Sequence, residues 1–287
     1  MKHFDENNPL SSDAWDDKNA QLFEHLTPPF QKDKAAIWEE LSQTLATPKP
    51  KTKIRSLLLN KWVAAASILI VSSLLFCKNY TTTIHVPLGE RLAYTLPDGS
   101  SVQLNAGSTL DYAPYWWVFD RRLELKGEAF FDVEEGSTFT VESEIGNTIV
   151  YGTSFNIFAR SGIYKVYCSS GKVWVATKDN QKGTYLNPED LAVVTKTSFT
   201  KQNHVDAQKS LSWINKTFHF AQSSATAVFE AIERQYNVSI NFPKISKPYS
   251  GHFAQPKDIE TCLDLVCTTL NLKFKKVNER QYIVSLE

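Results

Sequence analysis

The chain has 287 residues, of which 42% are hydrophobic, enough to form one or two folded domains. It carries 31 basic and 31 acidic residues, and this balance argues against nucleic-acid binding, which normally needs a basic face. Cys262 and Cys267 fall on one predicted helix with Cα atoms more than about 7 Å apart, so the cysteines are expected in cores rather than in a disulfide or a metal site.

The first segment, residues 1–50, is predicted to be a small α-helical head. Its apolar residues fall at helical spacing in two stretches, the first containing Trp15 and the second following a Pro-Pro break. So short a segment makes too small a core to be stable alone, and we expect it to complete itself on a partner. The alternative is that Trp15 and Trp38 pack on each other. The expected partner contacts are Trp15, Ile37, Trp38 and Leu41.

A basic linker, residues 51–61, leads into the apolar run 57–77, LLLNKWVAAASILIVSSLLFC. A helix of this length is about 31 Å long, close to the roughly 30 Å hydrocarbon core of a bilayer. The run therefore predicts a single transmembrane helix. The basic residues concentrate on its N-terminal side, which places the N-terminus in the cytoplasm and exports the rest of the chain.

After this run the hydrophobic period changes to two. Leu92, Tyr94 and Leu96 alternate with polar residues, and a Pro-Asp-Gly turn follows them. The same alternation and the same kind of turn recur without intervening helices. The pattern predicts an all-β antiparallel sandwich or jelly roll over residues 84–180.

Residues 181–212 are less regular and are expected to be a connector. From residue 213 to 287, strand and helix patterns alternate twice. This recurrence predicts a small α/β domain built on a repeated βαβ unit. Its predicted strands include Phe218–Phe220 and Tyr282–Leu286, and its predicted helices are 224–236 and 258–270.

Motifs for common enzyme chemistry are absent from the sequence. It contains no G-x-S-x-G, H-E-x-x-H or G-x-G-x-x-G pattern and no H-x-H pair, so neither a metal nor a cofactor is expected. Asp132 and Glu134 belong to an acidic cluster that is expected to be solvated. A periplasmic hydrolase that uses these two carboxylates is the less favoured alternative.

One dipeptide, Gly152-Thr153, could carry out chemistry on itself. A threonine hydroxyl can attack the carbonyl that precedes it and form an ester that water then cleaves. This step needs a strained Gly–Thr peptide and a base. A tight bend between strands explains the dipeptide equally well.

Three ordered stretches carry a family resemblance: VPLGERLAYTLPDGSSVQLNAGSTLDY, RRLELKGEAFFDV and VYGTSFNI. They lie within Val86–Val175, which resembles the exported domain of FecR-type anti-sigma factors. The unit Trp213–Leu286 is similar to the domain that follows it in Bacteroidetes members, which is itself like the short signalling domains of secretins and TonB-dependent transducers.

The resemblance implies a signalling role and no enzyme activity. Such proteins are anchored in the inner membrane and bind an extracytoplasmic-function (ECF) sigma factor on its cytoplasmic side. Their periplasmic part senses the signalling domain of an outer-membrane TonB-dependent transporter for iron chelates or polysaccharides. Some members cleave themselves at the glycine–threonine bond, here Gly152-Thr153, and others are trimmed by membrane proteases.

Two contact surfaces follow from this reading. The transporter's signalling domain is expected to add a strand at an edge of the C-terminal domain, with Phe218, Phe220, Tyr282 and Val284 as contacts. The segment 111–120 departs from the family in being unusually aromatic. An alternative function is therefore a membrane-tethered periplasmic carbohydrate-binding module that stacks sugars on Trp116 and Trp117.

Overall fold

The structure is a computed structural model that describes residues 33–46 and 61–286. The chain divides into two compact units, Met1–Ala65 and Ala66–Glu287. The helices are α1 (Lys34–Ala46), α2 (Lys61–Asn79), α3 (Gln208–Leu211), α4 (Ala225–Tyr236) and α5 (Ile259–Leu270), with a 3₁₀ turn at Ser212–Asn215.

The strands fall into two groups. Those of the first group, which we call the β-domain, are β1 (Thr82–His85), β2 (Leu92–Thr95), β3 (Ser101–Leu104), β4 (Thr109–Tyr112), β5 (Arg121–Asp132), β6 (Phe139–Glu142), β7 (Gly146–Val150), β8 (Ser154–Arg160), β9 (Ile163–Ser170), β10 (Val173–Thr177), β11 (Gly183–Leu186), β12 (Leu191–Thr195) and β13 (Phe199–Gln202). Those of the C-terminal domain are β14 (Thr217–Ser223), β15 (Ser239–Asn241), β16 (Tyr249–Ala254), β17 (Leu272–Asn278) and β18 (Gln281–Leu286).

The 12-residue strand β5 organises the β-domain. Its first half pairs with β4 and, in parallel, with β6. Its second half pairs with β3 and β8. Because one strand takes part in both faces, the described strands of this domain form a single 13-stranded sheet that folds over itself into a nearly closed, barrel-like shape.

Side chains from both faces of this sheet fill the core of the β-domain. Alternate residues of β5 point inward, and Leu125, Ala129 and Phe131 are fully buried. The Phe131 ring stacks on that of Phe155, with 5.1 Å between ring centroids. Trp117 closes one end of the core, edge-on to Phe139 at 5.7 Å.

Gly127 lies at the point where β5 passes from one face to the other. Its φ of +125° is open to glycine and very unfavourable for other residues, and a Cβ placed there would lie 2.4 Å from Oγ of Ser108. That hydroxyl accepts a hydrogen bond from N–H of Glu128 at 3.0 Å and donates one to its carbonyl oxygen at 3.0 Å. Ser108 therefore lies tightly against the backbone where β5 bends.

In the C-terminal domain, β14 pairs with β16, while β18 lies between β15 and β17. Helices α4 and α5 cover these strands and begin at side-chain caps. Oγ of Ser224 accepts from N–H of Ala227, and the Asp258 carboxylate accepts from N–H of Thr261. The core contains the cysteines of α5, as the sequence predicts. Its fully buried members are Val228, Phe229, Ile232, Cys262, Leu263 and Val266.

The predicted fold class, a multi-domain chain with an α-helical head, a transmembrane helix, an all-β antiparallel sandwich and a βαβ-repeat domain, is wrong. The described chain is mostly β, with one nearly closed sheet in which β5 and β6 run parallel. Among the described residues before 61 there is one helix, α1, rather than a helix-rich head. Neither α4 nor α5 joins two strands that pair with each other. Hydrophobic periodicity indicates strands, but it does not specify which strands pair.

The predicted transmembrane helix is also wrong, and with it the predicted single-pass inner-membrane localisation with a periplasmic C-terminus. Within residues 33–46 and 61–286, no helix reaches the length and apolarity that a membrane crossing needs. Over the predicted span, residues 57–60 lie outside the described residues, and α2 begins at Lys61. Only the 16 residues between Lys61 and Lys78 are uncharged, about 24 Å as a helix, whereas a bilayer core is about 30 Å thick.

Replacing Gly127 with alanine should strongly destabilise the protein. The added methyl group meets Ser108, and the backbone cannot keep its conformation without strain, so we expect a loss of about 3 kcal/mol or more. Chemical denaturation of purified protein measures this loss. The matched control is Gly162→Ala, because Gly162 also has a positive φ but a Cβ there meets nothing within 4 Å. Equal losses in the two variants would contradict the clash at Gly127.

Candidate functional site at the domain junction

Glu128, the residue after the β5 bend, lies partly buried where the β-domain meets the C-terminal domain. Its Oε2 accepts a hydrogen bond from Nδ2 of Asn105 at 2.8 Å, and its Oε1 accepts one from Nδ2 of Asn156 at 3.3 Å. Desolvation raises the pKa of the Glu128 carboxyl, and the two amides and the charge of Arg160 offset this only in part. The junction thus contains an acid whose charged form is disfavoured.

From Asn105 the hydrogen bonds cross into the C-terminal domain. Oδ1 of Asn105 accepts from Nε2 of Gln235 on α4 at 2.8 Å. Nη2 of Arg91 then donates to Oε1 of Gln235 at 2.8 Å and to Oε1 of Gln255 at 2.9 Å. One continuous chain of side-chain hydrogen bonds therefore joins β5 to α4 and to Gln255, the residue after β16, in the C-terminal domain.

A second tie comes from residues 203–216 between β13 and β14, which form the connector between the two domains in the structure. Trp213, in the 3₁₀ turn before β14, is buried, and its Nε1 donates to Oδ1 of Asn156 at 3.1 Å. A separate backbone hydrogen bond also crosses the junction, from N–H of Gly89 in the β-domain to the carbonyl oxygen of Arg234 on α4 at 2.7 Å. Because Asn156 also donates to Glu128, the connector and the crossing chain meet at the same carboxylate.

Two guanidinium groups lie beside this network. Arg160 donates to the carbonyl oxygens of Ala106 at 2.7 Å and Gly107 at 2.9 Å, and thereby holds the turn between β3 and β4. Desolvation and then the charge of Arg234 lower the pKa of Arg160 to about 10. Burial likewise lowers the pKa of Arg234. Positive charge is therefore concentrated in a poorly solvated place.

A cavity of about 250 Å³ opens at this junction. Its lining combines the polar groups of the network with aromatic side chains from both domains. Among the lining residues are Arg91, Glu128 and Arg234, together with Phe158, Trp213 and Phe218. A cavity with apolar walls and a few converging polar groups is the usual form of a small-molecule site.

The predicted self-processing dipeptide lies elsewhere, at the loop before β8. Thr153 is buried, and its Oγ1 has no hydrogen-bond partner among the described residues. A Cβ at Gly171 would lie 2.6 Å from Cγ2 of Thr153, so backbone packs closely against it. Two acidic side chains lie close to the dipeptide. A Cβ at Gly152 would lie 2.6 Å from Cγ of Glu135, and Oγ of the next residue, Ser154, donates to Oδ1 of Asp132 at 2.6 Å.

The side chains predicted to contact a transporter domain are all buried in the core of the C-terminal domain. Phe218 and Phe220 lie on β14, which pairs with β16 alone among the described strands. Tyr282 and Val284 lie on β18, the middle strand of its sheet. Among the described strands, β14 therefore has no partner on its second side, whereas β18 is paired on both sides.

The predicted sigma-factor contacts lie on α1, apart from Trp15, which is outside the described residues. Ile37 and Leu41 are exposed, and Trp38 has 73% of its surface exposed. The two tryptophans predicted to stack sugars are not both exposed. Trp117 is buried, and Trp116 packs on Phe119 with 4.8 Å between ring centroids. Trp117 therefore offers no face to a sugar.

Comparison with known proteins agrees with this two-domain arrangement. The family described as FecR protein matches residues 82–174, and the family described as FecR, C-terminal, matches residues 217–284. Two crystal structures of a candidate anti-sigma factor from Parabacteroides distasonis ATCC 8503 are similar at 28% identity, with TM-scores of 0.66 and 0.65. They cover 72% of this chain and 100% and 99% of their own. No curated protein matches the chain.

The raised pKa of Glu128 predicts a pH dependence of stability. The folded state favours the protonated acid, so this contribution is fully present below the unfolded pKa, about 4.3, and is lost as pH rises through the higher folded pKa. In Glu128→Gln this loss is absent, and the variant should gain stability relative to the wild type as pH rises from 4 to 8. Urea denaturation at several pH values measures the difference.

The matched control for this experiment is Glu124→Gln, on the exposed side of the same strand. It removes the charge of an exposed carboxyl group, so a gain that appears in both variants comes from the lost charge and not from the burial of Glu128. A difference between Glu128→Gln and the wild type that stays constant from pH 4 to 8 would show that Glu128 keeps an ordinary pKa.

Proposed function

Because the chain belongs to the FecR-type family of anti-sigma factors, we propose that it holds an ECF sigma factor inactive through its N-terminal segment. The observation that carries the proposal is the exposed apolar face of α1. Ile37, Trp38, Leu41 and Leu45 lie at helical spacing, and all four are exposed. Apolar helix faces of this kind are buried when the helix lies in a groove of a partner protein.

Within this proposal Trp38 is the main anchor. It is the largest apolar side chain on the face and has 73% of its surface exposed in the free protein. Large aromatic residues that become desolvated at an interface contribute most of its binding free energy. A sigma factor with this helix on its polymerase-binding surface cannot join the polymerase.

The C-terminal domain is the proposed entry point of the signal. The signalling domain of a TonB-dependent transporter would add a strand to the edge of β14, where main-chain hydrogen bonds supply affinity. The support is the pairing of β14, which among the described strands has β16 on one side and no strand on the other. The junction network then connects this strand's domain to β5.

Replacing Trp38 with alanine should release the sigma factor. Loss of an aromatic anchor costs about 2 kcal/mol or more, which weakens binding about thirty-fold. The measurement is transcription from promoters of the bound sigma factor in cells of the source organism, together with co-purification of that sigma factor with the full chain.

The matched control is Gln43→Ala on the opposite face of α1. It should leave both transcription and co-purification unchanged. If Trp38→Ala represses as well as the wild type at equal protein level, the α1 face is not the sigma-factor site. If Gln43→Ala releases the sigma factor equally, the effect comes from the helix as a whole.

We also propose that the chain cleaves itself at the Gly152-Thr153 bond, with the hydroxyl of Thr153 as the nucleophile. Its support is the buried, unpartnered Oγ1 next to the carbonyl of Gly152. Purified wild type and Thr153→Ser should then each yield two fragments, 1–152 and 153–287, because serine keeps the hydroxyl. Thr153→Ala should stay intact. Mass spectrometry of the intact proteins distinguishes these outcomes, and a wild type that stays whole would remove self-processing without touching the sigma-factor proposal.

A further inference from the structure

The junction cavity has more positive than negative charge along its lining. Arg91, Lys165, Lys209 and Arg234 line it, against two carboxyl groups, those of Glu128 and Glu230. Glu230 lies 3.6 Å from Nη1 of Arg234 and compensates that guanidinium in part. The guanidinium of Arg91 has no ion pair within 4 Å among the described residues. Its hydrogen bonds go to neutral amides, and the charge of Glu128 acts on it from further away.

Two nitrogen atoms of lining residues are buried without a hydrogen-bond partner in the described part of the chain. They are Nη1 of Arg91 and Nδ1 of His219. Burial of an unpartnered donor costs free energy comparable to a lost hydrogen bond. Burial and the nearby ring of His252 lower the pKa of His219, so its ring is neutral near pH 7 and can donate one hydrogen bond.

The remaining wall is partly polar, with serine, threonine, asparagine and glutamine side chains, and partly aromatic. Phe158 on β8, Trp213 in the connector and Phe218 on β14 line the cavity. An apolar cavity of about 150 Å³ is large enough to hold benzene. The 250 Å³ of the junction cavity therefore accommodates one aromatic or branched aliphatic group together with an anionic head.

We propose that this cavity is a binding site for a small organic anion. The oxyanion head pairs with Arg91 and Arg234, and the apolar body lies against Phe158 and Trp213. A guanidinium group donates two parallel hydrogen bonds to a carboxylate, and the carboxylate adds negative charge to a lining with more positive than negative groups. The proposal does not depend on the anti-sigma role of the chain.

Occupancy has a mechanical consequence. Arg91 precedes β2 in the β-domain, while Arg234 lies on α4 in the C-terminal domain. One anion bound to both guanidinium groups bridges the domains, so it stabilises their present arrangement in proportion to its binding. The cavity is thus a place where a metabolite can regulate the junction.

Isothermal titration of the full chain with three probes tests this proposal. Benzoate carries the head and the body, benzamide has the body without the charge, and inorganic phosphate has the charge without the body. We expect benzoate to bind at one site per chain and at least tenfold more tightly than either of the others. Absence of saturable benzoate binding, or equal binding of benzamide, overturns the site. Equal binding of phosphate overturns the apolar part of the proposal.

Variants locate the binding. Arg234→Gln should weaken benzoate at least tenfold, while Arg280→Gln, at an exposed position of the same domain, should leave it unchanged. Equal affinity in Arg234→Gln and the wild type overturns the assignment. If Arg234→Gln does not fold by thermal denaturation, the double variant Lys165→Gln and Lys209→Gln replaces it, and a loss of at least threefold is expected. Unchanged affinity there counts equally against the site.

Discussion

The carboxyl group of Glu128 is the point on which the two-domain arrangement depends. It accepts hydrogen bonds from the side-chain amides of Asn105 and Asn156. Each of these amides also accepts a hydrogen bond from a residue beyond the β-domain. Asn105 contacts α4 through Gln235, and Asn156 contacts the connector through Trp213. Since both amides direct their donors to one acid, their carbonyl oxygens remain free to accept from the C-terminal domain.

The position of this acid is a consequence of the bend in β5. Gly127 allows the strand to leave one face of the sheet and enter the other, and Ser108 binds the backbone of the residue that follows. The same turn between β3 and β4 that contains Asn105 is held by Arg160. The core strand, the turn and the domain junction are therefore connected by hydrogen bonds. A change at Gly127 acts on the junction through its neighbour Glu128.

Strands and helix limits are local properties and could be predicted from the sequence. The alternation of Leu92, Tyr94 and Leu96 and the caps at Ser224 and Asp258 are encoded within a few residues. Strand pairing is not local. The alternation therefore predicts an antiparallel sandwich and an edge at β18, whereas the structure has one continuous barrel-like sheet and β18 as a central strand. The membrane prediction depends on counting all 21 residues of the run 57–77, whereas Lys61 and Lys78 limit its uncharged part to 16 residues.

The junction was missed for a related reason. Asn105 and Glu128 belong to the sequence motifs that carry the family resemblance, yet nothing near them in sequence shows that Gln235, 130 residues away, completes their hydrogen bonds. Glu128 continues the outward-facing polar positions Arg122, Glu124 and Lys126 of β5, so the alternation gives no signal of its partial burial. The exposed face of α1, by contrast, follows from helical spacing within nine residues.

The central place of β18 also constrains how the chain can be made. Strands β15 and β17 both pair with β18 and not with each other, so their sheet has no template until residues 281–286 have left the ribosome. At about 5–20 residues per second, β15 at residues 239–241 waits several seconds for its partner, while every strand of the β-domain has already been synthesised. The β-domain can therefore fold first and offer Asn105 and Asn156 as a finished surface on which the C-terminal domain assembles.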